Sequence, residues 1–306
     1  MKIILSEPRG FCAGVDRAIH IVDEALDLLP PPIYVNHEIV HNSHVVDSFK
    51  GRGVIFVEDI TEVPDKSVLI FNAHGVPPEL VNEAKRREMQ IIDATCPLVS
   101  KVHFAALRHA KQGHHVFLIG HAGHAEVIGI MGHAPDNITL VESAEDVPNL
   151  IVPDGKEYAY VTQTTLSIAD CQIVIDALKE RFPNVIAPKQ SNICYATTNR
   201  QAAIKTVAQQ SDVVLVVGSA NSSNSRRLSE VAEDLGTKSY LVNSPQELEF
   251  SWFKETDKVG ISAGASTPES IVQAVITALK EQFSVESIDS EVSIVETEKF
   301  SLPKIG

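Results

Sequence analysis

Three cysteines are spaced in a way that suggests a shared role. Cys12, Cys96 and Cys194 are 84 and 98 residues apart, and each lies at a predicted helix start. A helix N-terminus stabilises an anion and so lowers the pKa of a thiol, and the thiolate is the form that binds metal. Three thiolates are one fewer than the four that fully ligate a 4Fe-4S cluster, so one iron would stay open for substrate. The spacing therefore predicts an iron-sulfur centre with redox and Lewis-acid chemistry.

A fourth cysteine, Cys171, does not share this spacing. It lies on a predicted helix face with Ile168, Val174 and Ile175, and an isolated cysteine is more often a small packing residue than a ligand. Four cysteines among 306 residues are also poor material for a disulfide framework. We expect Cys171 to pack in a core. We expect the other three to bind metal, because packing alone does not explain one matched cysteine in each repeat.

The segments that follow the three cysteines resemble one another. Each contains a helix-like stretch, then a strand that ends 23 residues after its cysteine, and then a polar loop. The three strands are 33–35, 117–119 and 215–217, and a second strand follows each of them at 68–71, 158–161 and 259–261. Helix-start signals come next, such as Pro77-Pro78-Glu79 and Thr267-Pro268-Glu269. This alternation is typical of βαβ units with parallel strands and predicts an α/β fold.

The repeats predict three pseudo-symmetric βαβ units with parallel sheets. The predicted units are 1–95, 96–193 and 194–281, and residues 282–306 are expected to form a C-terminal tail without chemistry. Ligands collect at the carboxyl ends of parallel strands, where loops and helix N-termini present hydrogen-bond donors. Packing of the three units around a pseudo-threefold axis would direct the three polar edges and the three cysteines into one central cavity, but sequence repetition does not determine how the units dock.

Polar side chains in the repeat loops could bind an anion. Six of them occupy loop positions near predicted helix N-termini: His41, His74, His124, Ser222, Asn224 and Ser266. Together they predict a diphosphate cradle, although polar helix caps alone produce a similar pattern.

Two other interpretations stay open from the residues alone. His121, His124 and Glu126 could form the zinc site of a hydrolase, but their spacing is not that of the His-Glu-x-x-His helix motif. The chain could also be a nucleotide- or phosphate-binding regulatory module in which the cysteines only pack. Iron with inorganic sulfide in the purified protein would separate the iron-sulfur enzyme from both.

The composition restricts the partners. The chain has 26 basic and 40 acidic residues and a formal net charge of -14, which argues against nucleic acid or an anionic membrane as its main partner. The first apolar run is too short for a signal peptide, and no later run approaches the ~20 residues that cross a bilayer. We expect a cytoplasmic, monomeric protein with no membrane contact.

Five segments of the chain resemble the 4-hydroxy-3-methylbut-2-enyl diphosphate reductase family of the non-mevalonate isoprenoid pathway. They are Glu7 to Val15, His37 to Asn42, Asp93 to Val99, Gln163 to Ser167, and Ser222 to Ser225. The resemblance extends over nearly the whole chain up to about residue 280, and the combination is far more specific than any single glycine-rich loop.

The resemblance implies that three α/β units are arranged as a trefoil around a central cavity, and it also implies a site. It implies a 4Fe-4S cluster held by Cys12, Cys96 and Cys194, a substrate whose hydroxyl binds the open iron, and electrons from a ferredoxin or flavodoxin. By the same resemblance, Glu126 and Thr164 manage protons. The residues implied to hold the diphosphate are His41, His74, His124, Thr165, Ser222, Ser223, Asn224 and Ser266. The implied reaction is a two-electron reductive dehydroxylation that gives isopentenyl and dimethylallyl diphosphates.

Two positions depart from the family pattern. Asn36 stands where the family often has Arg, and Ala125 stands where it often has Pro. Each is beside an expected site residue without replacing one, so the departures leave the implied site intact but could change loop stiffness.

Overall fold

The computed structural model describes residues 1–305 and shows an α/β protein. Parallel strands alternate with helices along most of the chain. The helices are α1 (Ala13–Leu28), α2 (Ser43–Gly51), α3 (Pro78–Arg86), α4 (Pro97–Lys111), α5 (Ala125–Gly132), α6 (Ile168–Arg181), α7 (Tyr195–Ala208), α8 (Ser223–Asp234) and α9 (Glu269–Gln282). No helix within the described part of the chain is both long and apolar enough to cross a membrane.

The strands form three sheets in which all pairings are parallel. They are β1 (Lys2–Glu7), β2 (Ile33–Asn36), β3 (Val54–Val57), β4 (Val68–Phe71), β5 (Gln90–Asp93), β6 (His115–Ile119), β7 (Ile138–Val141), β8 (Tyr158–Thr162), β9 (Val213–Val217), β10 (Lys238–Val242), β11 (Lys258–Ala263) and β12 (Ser287–Val292). The strand orders are β10-β9-β11-β1-β12, β3-β2-β4-β5 and β7-β6-β8. The predicted α/β fold with parallel sheets is confirmed.

The local predictions made from the repeats are confirmed. All six predicted strands are present as β2, β4, β6, β8, β9 and β11. The proline-containing signals begin α3 at Pro78 and α9 directly after Pro268. Pro97 is the first residue of α4, where its missing N–H costs nothing because the first turn of a helix has no internal partner for it.

Two compact units make up the described chain. The first comprises 1–16, 41–47 and 195–299, and it contains the five-stranded sheet. The second comprises 17–40, 48–194 and the residues from 300 onward, and it contains the other two sheets. The three-unit division at 95, 193 and 281 stays a prediction.

Two strands at the chain ends were not predicted. Strand β1 lies beside β11, and β12 in the predicted tail pairs with β1 from Lys2↔Ser287 to Glu7↔Val292. The β12 sequence is mostly polar and mostly exposed, so it carries little of the hydrophobic signal that identifies a strand. Residues 287–292 therefore complete a sheet edge that sequence periodicity did not indicate.

Candidate functional site

The three repeated cysteines each directly precede a helix. Helix α1 starts at Ala13, α4 at Pro97 and α7 at Tyr195. Cys12, Cys96 and Cys194 are all partly exposed.

Cys171 has a different environment. It is 3% exposed in an apolar cluster, and burial raises the pKa of its thiol to about 11. The prediction that Cys171 is a packing residue is confirmed, because a buried thiol that holds its proton is a poor metal ligand.

One backbone hydrogen bond recurs at all three repeated cysteines. The N–H of Cys12 donates to the carbonyl of Ala265 at 3.2 Å. The N–H of Cys96 donates to Ala73 at 2.9 Å, and the N–H of Cys194 donates to Thr164 at 3.0 Å. In each case the acceptor lies in the loop after the second strand of a repeat. The residue after each acceptor is a predicted anion-binding residue, namely Ser266, His74 or Thr165.

In the first unit, the N-terminus of α8 provides hydroxyl and amide groups. Ser222 is the N-cap, and its Oγ accepts from the N–H of Ser225 at 3.3 Å, which satisfies one of the otherwise unbonded first-turn donors. Ser222, Ser223 and Asn224 are 4 to 6% exposed. The positive end of the helix dipole lies at the same place, so this turn favours an anion.

Close packing places this turn against the strand ends. A Cβ on Gly218, after β9, would lie 2.3 Å from Ser225 Oγ, and a Cβ on Gly264, after β11, would lie 2.0 Å from the same atom. Both positions must therefore be glycine for α8 to approach so closely.

Asn224 is the least satisfied residue of this turn. Its Nδ2 and Oδ1 are buried and have no hydrogen-bond partner within residues 1–305. A buried amide without a partner costs about 1–3 kcal/mol, and such groups in native proteins call for a ligand, a water or an ion. Nearby in the chain, the Ser225 Oγ has the same unpaired state.

Ser266 connects the loop after β11 to His41. Its Oγ donates to the His41 carbonyl at 2.9 Å, and both residues belong to the first unit. The structure therefore places the Ser266 hydroxyl against the His41 backbone, and the binding of an anion by these two residues stays a prediction.

In the second unit, His74 and His124 lie side by side. Their ring centroids are 5.8 Å apart and the rings are nearly perpendicular. The N–H of Glu126 donates to His124 Nδ1 at 3.1 Å, so a neutral His124 carries its proton on Nε2 and can donate from there.

The orientation of His74 is set by Asn72. Asn72 Nδ2 donates to the Asn36 carbonyl at 3.1 Å, which leaves Oδ1 as an acceptor for His74 Nδ1 at 3.0 Å. Gly75 follows with φ +79, and a Cβ there would lie 2.4 Å from His103 Cε1. The loop that presents His74 therefore depends on a glycine both for its backbone angle and for space.

Glu126 is the buried acid of this unit. It is 1% exposed, and its two carboxylate oxygens accept from the Thr164 N–H at 2.7 Å and from Thr164 Oγ at 2.9 Å. Burial raises the pKa of Glu126 to about 7, against the opposing effect of the two Thr164 hydrogen bonds. A carboxyl group with this pKa exchanges its proton near neutral pH, as a general acid requires.

The zinc alternative lacks the necessary grouping. Within the described residues, His121, His124 and Glu126 do not present ligand atoms within 4.8 Å of one another. His121 is exposed, whereas both oxygens of Glu126 are bonded to Thr164. These positions do not favour a zinc hydrolase.

Sequence reasoning missed three residues around Cys12. Tyr195 Oη accepts from the N–H of Ala13 at 3.2 Å. Arg200 is 0% exposed and pairs with Glu296 at 2.9 Å.

The Arg200 guanidinium also binds the chain just before Cys12. It donates to the Gly10 carbonyl at 2.8 Å, to Phe11 at 3.3 Å and to Ala196 at 3.0 Å. A lone arginine in a helix and a glutamate in a polar tail carry no local signal that would have identified this cluster.

Comparison with known proteins identifies the family. The family model described as LytB protein matches residues 3–280. The chain belongs to the LytB family. Two relatives, both named 4-hydroxy-3-methylbut-2-enyl diphosphate reductase, are similar over nearly their whole lengths. The protein from Alcanivorax borkumensis is 52% identical over 99% of each chain, and the one from Rhodopirellula baltica is 51% identical over 99% of this chain and 95% of its own. Like these relatives, this LytB family member is a reductase.

Solved structures agree with this assignment. The Plasmodium falciparum structure titled E-1-hydroxy-2-methyl-but-2-enyl-4-diphosphate reductase matches with a TM-score of 0.96 and 40% identity, covering 99% of this chain and 95% of its own. A second structure, titled (E)-4-hydroxy-3-methyl-but-2-enyl diphosphate reductase, matches with a TM-score of 0.67 and 33% identity, covering 92% of this chain and 100% of its own. The fold of this LytB family member is therefore the fold of these reductases.

Proposed function

We propose that this LytB family member is an iron-sulfur reductase. It converts 4-hydroxy-3-methylbut-2-enyl diphosphate to isopentenyl and dimethylallyl diphosphates. The observation that carries the proposal is the recurring hydrogen bond from each of three cysteine N–H groups to a loop that presents a predicted anion-binding residue. Such a bond couples the position of each metal ligand to the position of a substrate contact. Positioning of this kind supplies much of the rate enhancement in a reaction at a fixed centre.

The donor set fits a 4Fe-4S cluster. Cys12, Cys96 and Cys194 are partly exposed at helix starts, and Cys171 is buried with a raised pKa. The first three are suited to be thiolate ligands, and the fourth is not. A cluster with three cysteine ligands would supply electrons and an open, Lewis-acidic iron position.

Two groups of residues are proposed to hold the diphosphate. In the first unit these are His41, Ser222, Ser223, Asn224 and Ser266, and in the second they are His74, His124 and Thr165. The unpaired carboxamide of Asn224 is the strongest support, because a phosphate oxygen would accept from Nδ2 and so relieve a buried donor. His124 contributes an Nε2 donor even when it is neutral.

Glu126 is proposed as the proton source. Its pKa of about 7 keeps a substantial protonated fraction at neutral pH, and Thr164 Oγ lies 2.9 Å from its Oε2 and can relay the proton. When Glu126 is protonated, it can donate to Thr164 Oγ instead of accepting from it. The hydroxyl of Thr164 then becomes the donor to the leaving oxygen.

The cluster is tested by anaerobic purification with iron and sulfide counting, followed by a turnover assay on the hydroxylated allylic diphosphate. We expect a brown protein that turns over. Cys12→Ala, Cys96→Ala and Cys194→Ala should each lose iron and activity, while the matched control Cys171→Ala should keep both. A protein that retains zinc and no iron, or that keeps its iron in all four variants, would contradict the proposal.

The acid is tested separately with Glu126→Gln, which preserves shape and hydrogen bonding but removes the ionisable proton. We expect unchanged iron content and a rate lower by about 10²–10⁴-fold, the usual contribution of a general acid. A normal rate with full cluster loading would remove Glu126 from the mechanism. A cytoplasmic location and a monomeric state stay predictions.

A further inference from the structure

Helix α4 presents a positive surface on a protein that is negative overall. No Asp or Glu occurs between Asp93 and Glu126, although the chain has 40 acidic and 26 basic residues. Lys101, Arg108 and Lys111 are exposed on this helix. None of these three cations is in an ion pair with a carboxylate among the described residues.

An exposed aromatic side chain lies in the same stripe. Phe104 is 67% exposed, and it stands three residues after Lys101 and four residues before Arg108. Residues three and four apart share one face of a helix, so the cations flank the aromatic ring. The opposite face is anchored in the unit by buried side chains such as Val102.

A cavity of about 250 Å³ extends this face. Arg108, His109 and Gln112 line one side of it, and the segment 186–189 lines the other. Lys189 in that segment is exposed and adds a fourth cation, and no carboxylate among the described residues lines the cavity.

Ordinary helix chemistry explains only part of this surface. Cations in the last turn complement the negative end of the helix dipole, which accounts for Arg108 and Lys111. It does not account for Lys101 in the first half of the helix or for the exposure of Phe104. An apolar anchor surrounded by polar residues is typical of a protein interface.

We propose that this face of α4 is the docking surface for a small acidic electron-carrier protein, a ferredoxin or a flavodoxin. This inference rests on the proposed function, whose reaction is R–OH + 2 e⁻ + 2 H⁺ → R–H + H₂O and therefore needs two electrons from outside the substrate. A carrier that delivers one electron at a time must dock and leave twice in each turnover. Such encounters use small, weak interfaces that are steered by charge.

The position of the helix suits electron entry. Helix α4 begins directly after Cys96, a proposed cluster ligand. With a rise of about 1.5 Å per residue, Phe104 lies about 12 Å along the helix axis from Cys96. A carrier docked over Lys101 and Phe104 would thus be close to the proposed cluster.

Because the protein is negatively charged overall, binding of an acidic carrier requires a locally positive surface. A net charge of -14 repels an acidic carrier, so a productive encounter depends on a local surface where exposed cations are concentrated, such as this face of α4. Attraction of this type weakens as salt shortens the screening length. We therefore expect carrier-driven turnover to fall steeply between about 20 mM and about 300 mM salt, whereas turnover driven by dithionite should change little.

The experiment compares the unaltered, cluster-loaded enzyme with the double variant Lys101→Glu and Arg108→Glu. Turnover is driven either by reduced 2Fe-2S ferredoxin or flavodoxin, or by dithionite with methyl viologen. We expect the KM for the carrier to rise at least about tenfold in the double variant, with dithionite-driven turnover within about twofold of the parent. Phe104→Ser should raise the same KM by a smaller factor.

The matched control is Lys205→Glu, which reverses an exposed cation on α7, another helix without acidic residues. It should leave both activities unchanged. The inference is overturned if the double variant keeps the parental KM for the carrier or if Lys205→Glu raises it equally. It is also overturned if the parent enzyme turns over with dithionite but neither binds nor accepts electrons from either carrier. A double variant whose only change is its oligomeric state would overturn it too.

Failure of the proposed function can be distinguished from failure of the docking inference. In that case the parent would not reduce the substrate with dithionite either, whereas anaerobic titration of carrier binding would still report on docking at α4.

Discussion

Two regions of the first unit differ in how many of their polar groups have hydrogen-bond partners. Around Cys12 several backbone groups have hydrogen-bond partners: the carbonyls of Gly10 and Phe11 accept from Arg200, and the N–H groups of Cys12 and Ala13 also have partners. At the start of α8, by contrast, both amide atoms of Asn224 are buried without a partner among residues 1–305.

The difference indicates two roles: paired groups fix the position of a loop, whereas an unpaired buried group favours binding of a ligand. A network of several paired groups favours one geometry, which suits a loop that must present a metal ligand. An unsatisfied buried group raises the free energy of the empty site and is relieved when a ligand supplies the missing partner. The second unit offers an intermediate case in Glu126, whose oxygens are both bonded but whose charge is unfavourable in a buried setting.

The largest effect on stability is expected from Arg200→Met, which removes the hydrogen bonds of the guanidinium to the segment before Cys12. Removing the buried guanidinium leaves Glu296 and the Gly10 carbonyl without their main partner. The free energy of unfolding should fall by about 3–5 kcal/mol. Anaerobic denaturation with urea measures it.

The matched control for this variant is Arg226→Met, which replaces an exposed arginine on α8 and should change stability by less than about 0.5 kcal/mol. If Arg200→Met does not yield folded protein, Glu296→Gln removes the partner charge with a smaller loss. Equal stability of the Arg200 and Arg226 variants would contradict the contrast drawn between the two regions.

Measuring the free energy of unfolding as a function of pH tests the intermediate case, Glu126. The pKa of Glu126 is raised from 4.5 to about 7 on folding. Its favourable, protonated contribution is therefore present below about pH 4.5 and is lost as the pH rises through about 7. Between pH 5 and pH 8 the parent should lose about 2–3 kcal/mol of unfolding free energy from this group, and Glu126→Gln should not. Identical pH dependence in the two proteins would show that Glu126 does not ionise in this range.

Asn224→Leu tests the unsatisfied region. The change removes two unpaired polar atoms at similar volume, so without substrate the protein should gain about 1–2 kcal/mol of stability. Substrate should bind at least about tenfold more weakly, which corresponds to about 1.4 kcal/mol. Thermal unfolding and a binding titration measure the two effects.

Ser222→Ala provides the contrasting control on the same helix. It removes an N-cap hydrogen bond and should lower stability by about 1 kcal/mol. A loss of stability in Asn224→Leu similar to that in Ser222→Ala would mean that the Asn224 carboxamide is satisfied in the free protein.

The smallest effect is expected from Ser266→Ala. It removes one hydrogen bond to the His41 carbonyl and should cost about 0.5–1.5 kcal/mol of stability. Substrate affinity should fall while iron content stays the same. Ser270→Ala on the exposed face of α9 is the neutral control. Unchanged affinity in Ser266→Ala would place the diphosphate elsewhere.

Much of the fold could be predicted because its signals are local. Strands such as β9, with five buried residues in a row, are identified by a short apolar run, and α4 is identified by the proline at its first position. The pairing of β1 with β12 could not be predicted in this way. It joins residues more than 280 positions apart, and the polar β12 carries no periodic apolar face.

The features of the candidate site can likewise be separated into those predicted from local sequence and those shown only by the folded structure. Histidines and hydroxyls at loop positions were predicted from the repeat, and the structure places His74 beside His124 and Ser266 beside His41. The tautomer of His124 depends on a bond to Glu126 N–H that only the folded loop shows. The roles proposed for these residues in binding substrate stay predictions.

The sequence by itself determined the α/β fold, the helix starts behind three matched cysteines and the residue types at the strand ends, because apolar periodicity and capping are read from neighbouring residues. The tertiary structure alone decided which polar groups are satisfied. Arg200 pairs with Glu296 across 96 residues, Thr164 hydrogen-bonds to Glu126, and Asn224 has no side-chain partner in the described part of the chain. Hydrogen-bond satisfaction depends on all atoms within about 3 Å of a group, and folding brings those atoms from distant parts of the chain.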